Sequence, residues 1–200
     1  MSTTTAASQA VLPANTPPQQ PKEKKILTLQ AFRRRYSERE DGYKYEYNEG
    51  EIEKTESKMK VSQIHIVKNL TRRFLQTKAF ASGDELVLEL EQMTSPVKLR
   101  RPDLTYVKLG SIKTGDESIS DFVVEIISEH DNIKKVYRKL EEYFAADVKV
   151  VWLIFPDLDQ VHVYTSIFDI TICKGDKVCS AAPVLPDFEM TASEVFTKPA

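Results

Sequence analysis

The stretch DFVVEIIS, residues 121–128, constrains the fold more than any other part of the chain. Val123, Val124, Ile126 and Ile127 form a short β-branched run, the pattern of a strand buried on both faces. Glu125 stands in the middle of it. An ionised carboxylate in that setting is costly unless it is paired, protonated or bound to a metal.

The other segments read as the layers such a strand needs. LTLQAFRRRYSER places Thr28 as an N-cap ahead of Leu29, Phe32 and Tyr36, which predicts a short helix. YKYEYNEGEIEKTE alternates aromatic and polar residues around Asn48-Glu49-Gly50, a hairpin signal. SQIHIVKNLTRRFLQTK predicts a helix with Ile64, Val67, Leu70, Phe74 and Leu75 as its apolar stripe. ELVLELEQM, residues 85–93, reads as one alternating strand with Leu86, Leu88 and Leu90 on one face. RPDLTYVKL and DFVVEIIS are further strands, separated by a polar connection at 110–120. NIKKVYRKLEEYFAAD is an amphipathic helix with Ile133, Val136, Tyr137, Leu140, Tyr143 and Phe144 facing inward. KVVWLIFP and QVHVYTS are two more strands about a turn at 157–160, and LPDFEMTASEVF ends in a short helix. This order predicts an α/β protein with a mixed central sheet flanked by helices, preceded by an N-terminal helix and hairpin.

Two hundred residues are enough for one domain with a substantial core. Residues 1–24 are rich in Ser, Thr, Ala, Pro and Gln and poor in large apolar side chains, so they predict a disordered tail before a domain at 25–200. That N-terminus lacks the basic start and apolar core of a secretory signal, and no apolar run is long enough to cross a bilayer. Cys173 and Cys179 are too few for a disulfide framework and read as free thiols in a reducing cytoplasm. A net charge of −2 argues against a protein that coats nucleic acid non-specifically. The basic runs at 33–35, 100–101 and 134–135 read first as solvated faces.

A second acid gives Glu125 its context. Asp103 follows Pro102 at the start of the preceding strand, and consecutive strands are usually neighbours. If these two pair, the carboxylates face one another, and like charges that close call for a divalent cation. Oxygen-only ligands suit Mg²⁺. Lys139 sits at the margin of the next helix's apolar face, where its stem can be buried and its ammonium can reach the strand end. The plainer alternatives are a salt-bridged core acid for Glu125 and, for Lys139, a solvated residue pairing with Glu142.

RRPDLTYVK, FVVEIIS, Lys139 and Tyr143 in RKLEEY, and VKVVWLIFPDLDQVHVY together resemble the Uma-type family of restriction-endonuclease-like proteins, within the PD-(D/E)XK nuclease superfamily. The resemblance runs over residues 27–196 and includes YEYNEGEIE and LPDFEMTASEVF. It implies a restriction-endonuclease-like core in αβββαβ order, as found in this largely bacterial family. It implies an endonuclease hydrolysing DNA phosphodiester bonds with Mg²⁺ or Mn²⁺ held by Asp103 and Glu125. The lysine of the superfamily usually lies two residues after the acid; here that position is Ile127, and Lys139 on the following helix matches instead. Tyr143, Glu51 and His65 match family positions as supporting residues. DNA is the implied partner, with a cytoplasmic location, no membrane, and homodimerisation left open. Two departures favour an alternative, a catalytically inactive nuclease-fold module that binds nucleic acid or a protein. SEHD replaces the family's Ser-Pro-Ser or Ser-Pro-Thr, and Lys135 replaces an acid one turn before Lys139, which predicts a like charge beside it.

Overall fold

The computed structural model describes residues 26–114 and 119–198; the tail expected over 1–24 and part of the 110–120 connection lie outside the described residues. Helix α1 (Leu29–Phe32) starts as expected on Thr28, whose hydroxyl accepts the Ala31 N–H at 3.2 Å. It passes directly into a wider π-type segment over Arg33–Ser37. Strands β1 (Tyr43–Asn48) and β2 (Glu51–Glu56) form the expected hairpin. Its turn places Glu49 at φ 51° and Gly50 at φ 89°, the doubly positive conformation of a tight hairpin. Strand periodicity then sorts the side chains: Tyr45 and Tyr47 pack on Phe32 and Leu99, while Lys44 and Glu46 take the opposite face.

Helix α2 (Val61–Phe74) buries Ile66, Leu70 and Phe74, with Val67 beside them. Ile64 and Leu75, expected in its stripe, are exposed, because the row that meets the sheet starts at Ile66 and recurs every four residues. Helix α3 (Lys78–Ala81) leads into β3 (Glu85–Leu88). ELVLELEQM is therefore two strands rather than one. Glu89 adopts φ 49°, which breaks the extended chain, and the second half becomes β4 (Gln92–Ser95) in a different sheet. The segment expected as a connection before Asp103 contains β5 (Lys98–Arg100), antiparallel to β1 and β4.

The core then assembles from β6 (Leu104–Val107), α4 (Leu109–Thr114), β7 (Phe122–Ile126), α5 (Ile133–Ala145), β8 (Val150–Phe155) and β9 (Gln160–Tyr164). β10 (Ile170–Lys174), β11 (Val178–Ala181), β12 (Leu185–Thr191) and α6 (Ala192–Phe196) complete it. The central sheet has the order β10-β9-β8-β7-β6-β3. β7 and β8 are parallel, with α5 as the crossover between them, and the other neighbours are antiparallel. A second sheet, β2-β1-β5-β4, carries the hairpin, and β11 pairs with β12.

Every residue of β7 is buried, as its sequence demanded. Phe122, Val124 and Ile126 face the larger core with Trp152, Phe188, α2 and α6. Val123 faces the other core, under Val136, Leu140 and Tyr143 of α5. Ile133 and Tyr137 are exposed, so the inner face of α5 is narrower than the sequence implied. Glu125 shares the parity of Val123 and so points to the α5 side. No helix among the described residues is long and apolar enough to cross a membrane.

Candidate active site

β6 and β7 pair antiparallel with Leu104 opposite Val124. Extending that register by one residue sets Asp103 opposite Glu125. The ladder ends there, and the Asp103 side chain takes over: its Oδ2 accepts the Ile126 backbone N–H at 2.7 Å. Its Oδ1 accepts from the Lys44 ammonium at 2.8 Å. Glu125, 6% exposed, receives the Tyr143 hydroxyl at 2.6 Å on Oε1. Lys139 lies 3.5 Å from the same oxygen and donates to Glu46 Oε1 at 2.9 Å. Asp103, Glu125, Lys139 and Tyr143, singled out separately in the sequence, therefore line one cavity of about 550 Å³ between the hairpin, the strand ends and α5.

Glu51 and His65 do not join them. Glu51 is exposed at the start of β2, and His65 is half-buried on α2 away from the cavity. Lys135, expected as a like charge beside Lys139, instead has a carboxylate partner, Glu53 at 3.6 Å. The anchor for Lys139 comes from the hairpin, through Glu46, instead of from its own helix. Glu142, the surface partner considered for Lys139, binds Arg100 and Lys98.

Two residues of this cavity escaped the sequence reading, Lys44 and Glu46. Glu46 also accepts the Arg101 backbone N–H at 2.9 Å and lies 3.4 Å from Arg100. Arg100 is 2% exposed; its guanidinium also grips Glu142, at 2.6 and 3.0 Å, and Glu53, at 3.2 Å. The expectation that this basic run is a solvated face fails at Arg100. The only advance signal was alternation: once one hairpin face is aromatic and buried, the charged face must lie over something.

Three carboxylates thus face two ammonium groups, with Arg100 behind Glu46. Burial pushes Glu46 up, but Lys139, Lys44 and Arg100 outweigh it and hold the carboxyl at about 2, below its ordinary 4.5. For Glu125 the balance reverses. Burial raises its pKa, and Asp103 and Glu46 add repulsion that Lys139 and Lys44 only partly offset. Burial disfavours both ammoniums, yet Asp103 above all holds Lys44 charged, and Glu125 and Glu46 do so for Lys139.

Among the described residues, no three His, Cys, Asp or Glu side chains form a ready coordination sphere. The donor chemistry nonetheless fits a hard cation. Asp103 and Glu125 offer oxygen only, Tyr143 engages just one of the two Glu125 oxygens, and the adjoining cavity has room for water and a phosphate.

Comparison with known proteins bears on the family and the fold. Residues 29–193 match the family described as "Uma2: Putative restriction endonuclease". The fold is similar to a crystal structure described as "a putative nuclease belonging to DUF820" from Anabaena variabilis ATCC 29413, with a TM-score of 0.70 at 19% identity. The alignment covers 85% of this chain and 97% of that one. A comparison with curated proteins found no match. The match over most of the chain, on a nuclease-like fold, makes this protein a member of the Uma2 family.

Proposed function

We propose that the protein is a divalent-metal-dependent endonuclease that hydrolyses DNA phosphodiester bonds, with Asp103 and Glu125 as ligands for Mg²⁺ or Mn²⁺. The observation that carries this reading is the convergence of the two acids from paired strands with Lys139 reaching in from the next helix. A bound divalent ion would supply an acidified water and polarise a phosphodiester oxygen. The chain's own residues supply the frame. Tyr143 fixes Glu125 through Oε1, at the wall of the cavity. The Ile126 N–H fixes Asp103. Glu46 steadies the Lys139 ammonium, which stays protonated at neutral pH. Lys139 therefore acts as a fixed positive charge that orients the attacking water and meets charge developing on the phosphate, not as a general base. DNA as substrate and the cytoplasm as compartment belong to the same proposal.

The test is supercoiled plasmid incubated with the full chain in Mg²⁺ or Mn²⁺. Cleavage that stops on addition of EDTA is the expected result. Failure to cut duplex and single-stranded DNA in both metals would remove the reading. One observation favours the inactive-module alternative: Asp103 and Glu46 already have cationic partners within the protein. That alternative predicts salt-dependent DNA binding that survives both EDTA and Glu125→Ala.

A further inference from the structure

The hairpin lysine has no part in the proposed chemistry, yet it makes the shortest cation contact to Asp103. Lys44 comes from the second sheet, so the pairing of β6 with β7 does not depend on it. Its side chain is 11% exposed, and its ammonium sits 2.8 Å from Asp103 Oδ1, one of the two carboxylates in question. Taking the metal reading as given, we infer that Lys44 is a built-in surrogate cation: it neutralises Asp103 when no metal is bound and must leave that carboxylate before a divalent ion can take its place.

A compact ammonium in hydrogen-bond contact with Oδ1 takes up space beside that oxygen and repels a second cation approaching it. The other Asp103 oxygen accepts from the Ile126 N–H, so each oxygen already carries one donor, and an incoming divalent ion meets the ammonium's like charge at close range. Lysine can withdraw because its four-carbon stem is flexible, and Glu46, two residues along the same strand face, already helps to hold the ammonium charged and can receive it. Without such a counter-ion the partly buried Asp103 carboxylate would face the Glu125 and Glu46 carboxylates with less compensating charge, an unfavourable state. The lysine thus balances the charge of the site at the expense of metal affinity.

The experiment is calorimetric titration of Mn²⁺ into the full-length protein, comparing wild type with Lys44→Gln, Lys44→Arg and Lys135→Met. Glutamine keeps a hydrogen-bond donor for Asp103 while removing the charge, which protects the fold; urea unfolding checks that it does. Lys44→Gln is expected to bind Mn²⁺ at least about tenfold more tightly than wild type. Its melting temperature should also rise more on addition of Mn²⁺. Lys44→Arg should bind no more tightly than wild type. Lys135→Met removes a charge from the same cavity wall without touching Asp103 and should change affinity by less than about threefold, since a distant exposed charge is screened. Equal affinity in wild type and Lys44→Gln would overturn the inference while leaving the metal site standing, as would an equal gain in Lys135→Met. Absence of Mn²⁺ binding in every protein would overturn the metal reading itself, and this inference with it.

Discussion

Replacing Arg100 with Met is expected to lower the free energy of unfolding by about 3–5 kcal/mol, a large share of the ~5–15 kcal/mol available to a domain of this kind. The guanidinium is 2% exposed and joins Glu46 and Glu53 of the hairpin to Glu142 of α5. Methionine fills much of the same volume, so the loss is one of charge rather than of packing. Lysine should rescue little, because Arg100 grips Glu142 through two nitrogens at 2.6 and 3.0 Å, a geometry an ammonium cannot reproduce. The variant should also unfold at higher pH in acid. Glu46 is held at about 2 against an ordinary 4.5, so its contribution to stability is present above 4.5 and is lost as pH falls toward 2. Removing Arg100 takes away one of the charges that depress that value and moves the loss upward in pH. Urea denaturation at pH 7 and acid titration by circular dichroism measure both effects. A change under about 1 kcal/mol at pH 7 would mean that the network is a solvated one.

The second expected result separates function from stability. Glu125→Gln should reduce metal-dependent plasmid cleavage by at least about 10³-fold, the equivalent of several kcal/mol of metal-assisted stabilisation. Its thermal midpoint should stay level or rise. Burial and the neighbouring acids raise the Glu125 pKa, so the folded protein binds its proton more tightly than the unfolded chain does. The resulting cost is absent below the ordinary 4.5, grows as pH rises to the elevated value, and is complete above it. Glutamine removes that cost and keeps an oxygen for the Tyr143 hydroxyl. Cleavage within about tenfold of wild type would contradict the role given to Glu125, as would lost cleavage traced to a collapsed fold.

The parts of the site visible in the sequence were those that violate a local rule. Glu125 interrupts a β-branched run, Asp103 opens the strand before it, and Lys139 sits at the edge of an apolar helix face. Lys44 and Glu46 break no such rule. In YKYEYN they are the polar half of an ordinary two-faced strand, and only the packing of the hairpin sheet over the α5 side buries them. Arg100 was hidden for the same reason, since its three partners lie 42 to 54 residues away along the chain. The order of the core elements could be read from periodicity, but the division of ELVLELEQM could not. That division depends on a positive φ at Glu89, a residue with no glycine-like preference to announce it. Strands β10 to β12 were also missed; ITICK and VCSA are short and leave half or more of their residues partly or fully exposed, which blurs any period.

The account rests on Asp103 and Glu125 sharing one divalent ion, and Mn²⁺ binding by wild type beside Asp103→Asn tests it most directly. One ion per chain in the wild type, lost in a variant that still folds, is the predicted result. Equal binding by the two proteins would contradict it.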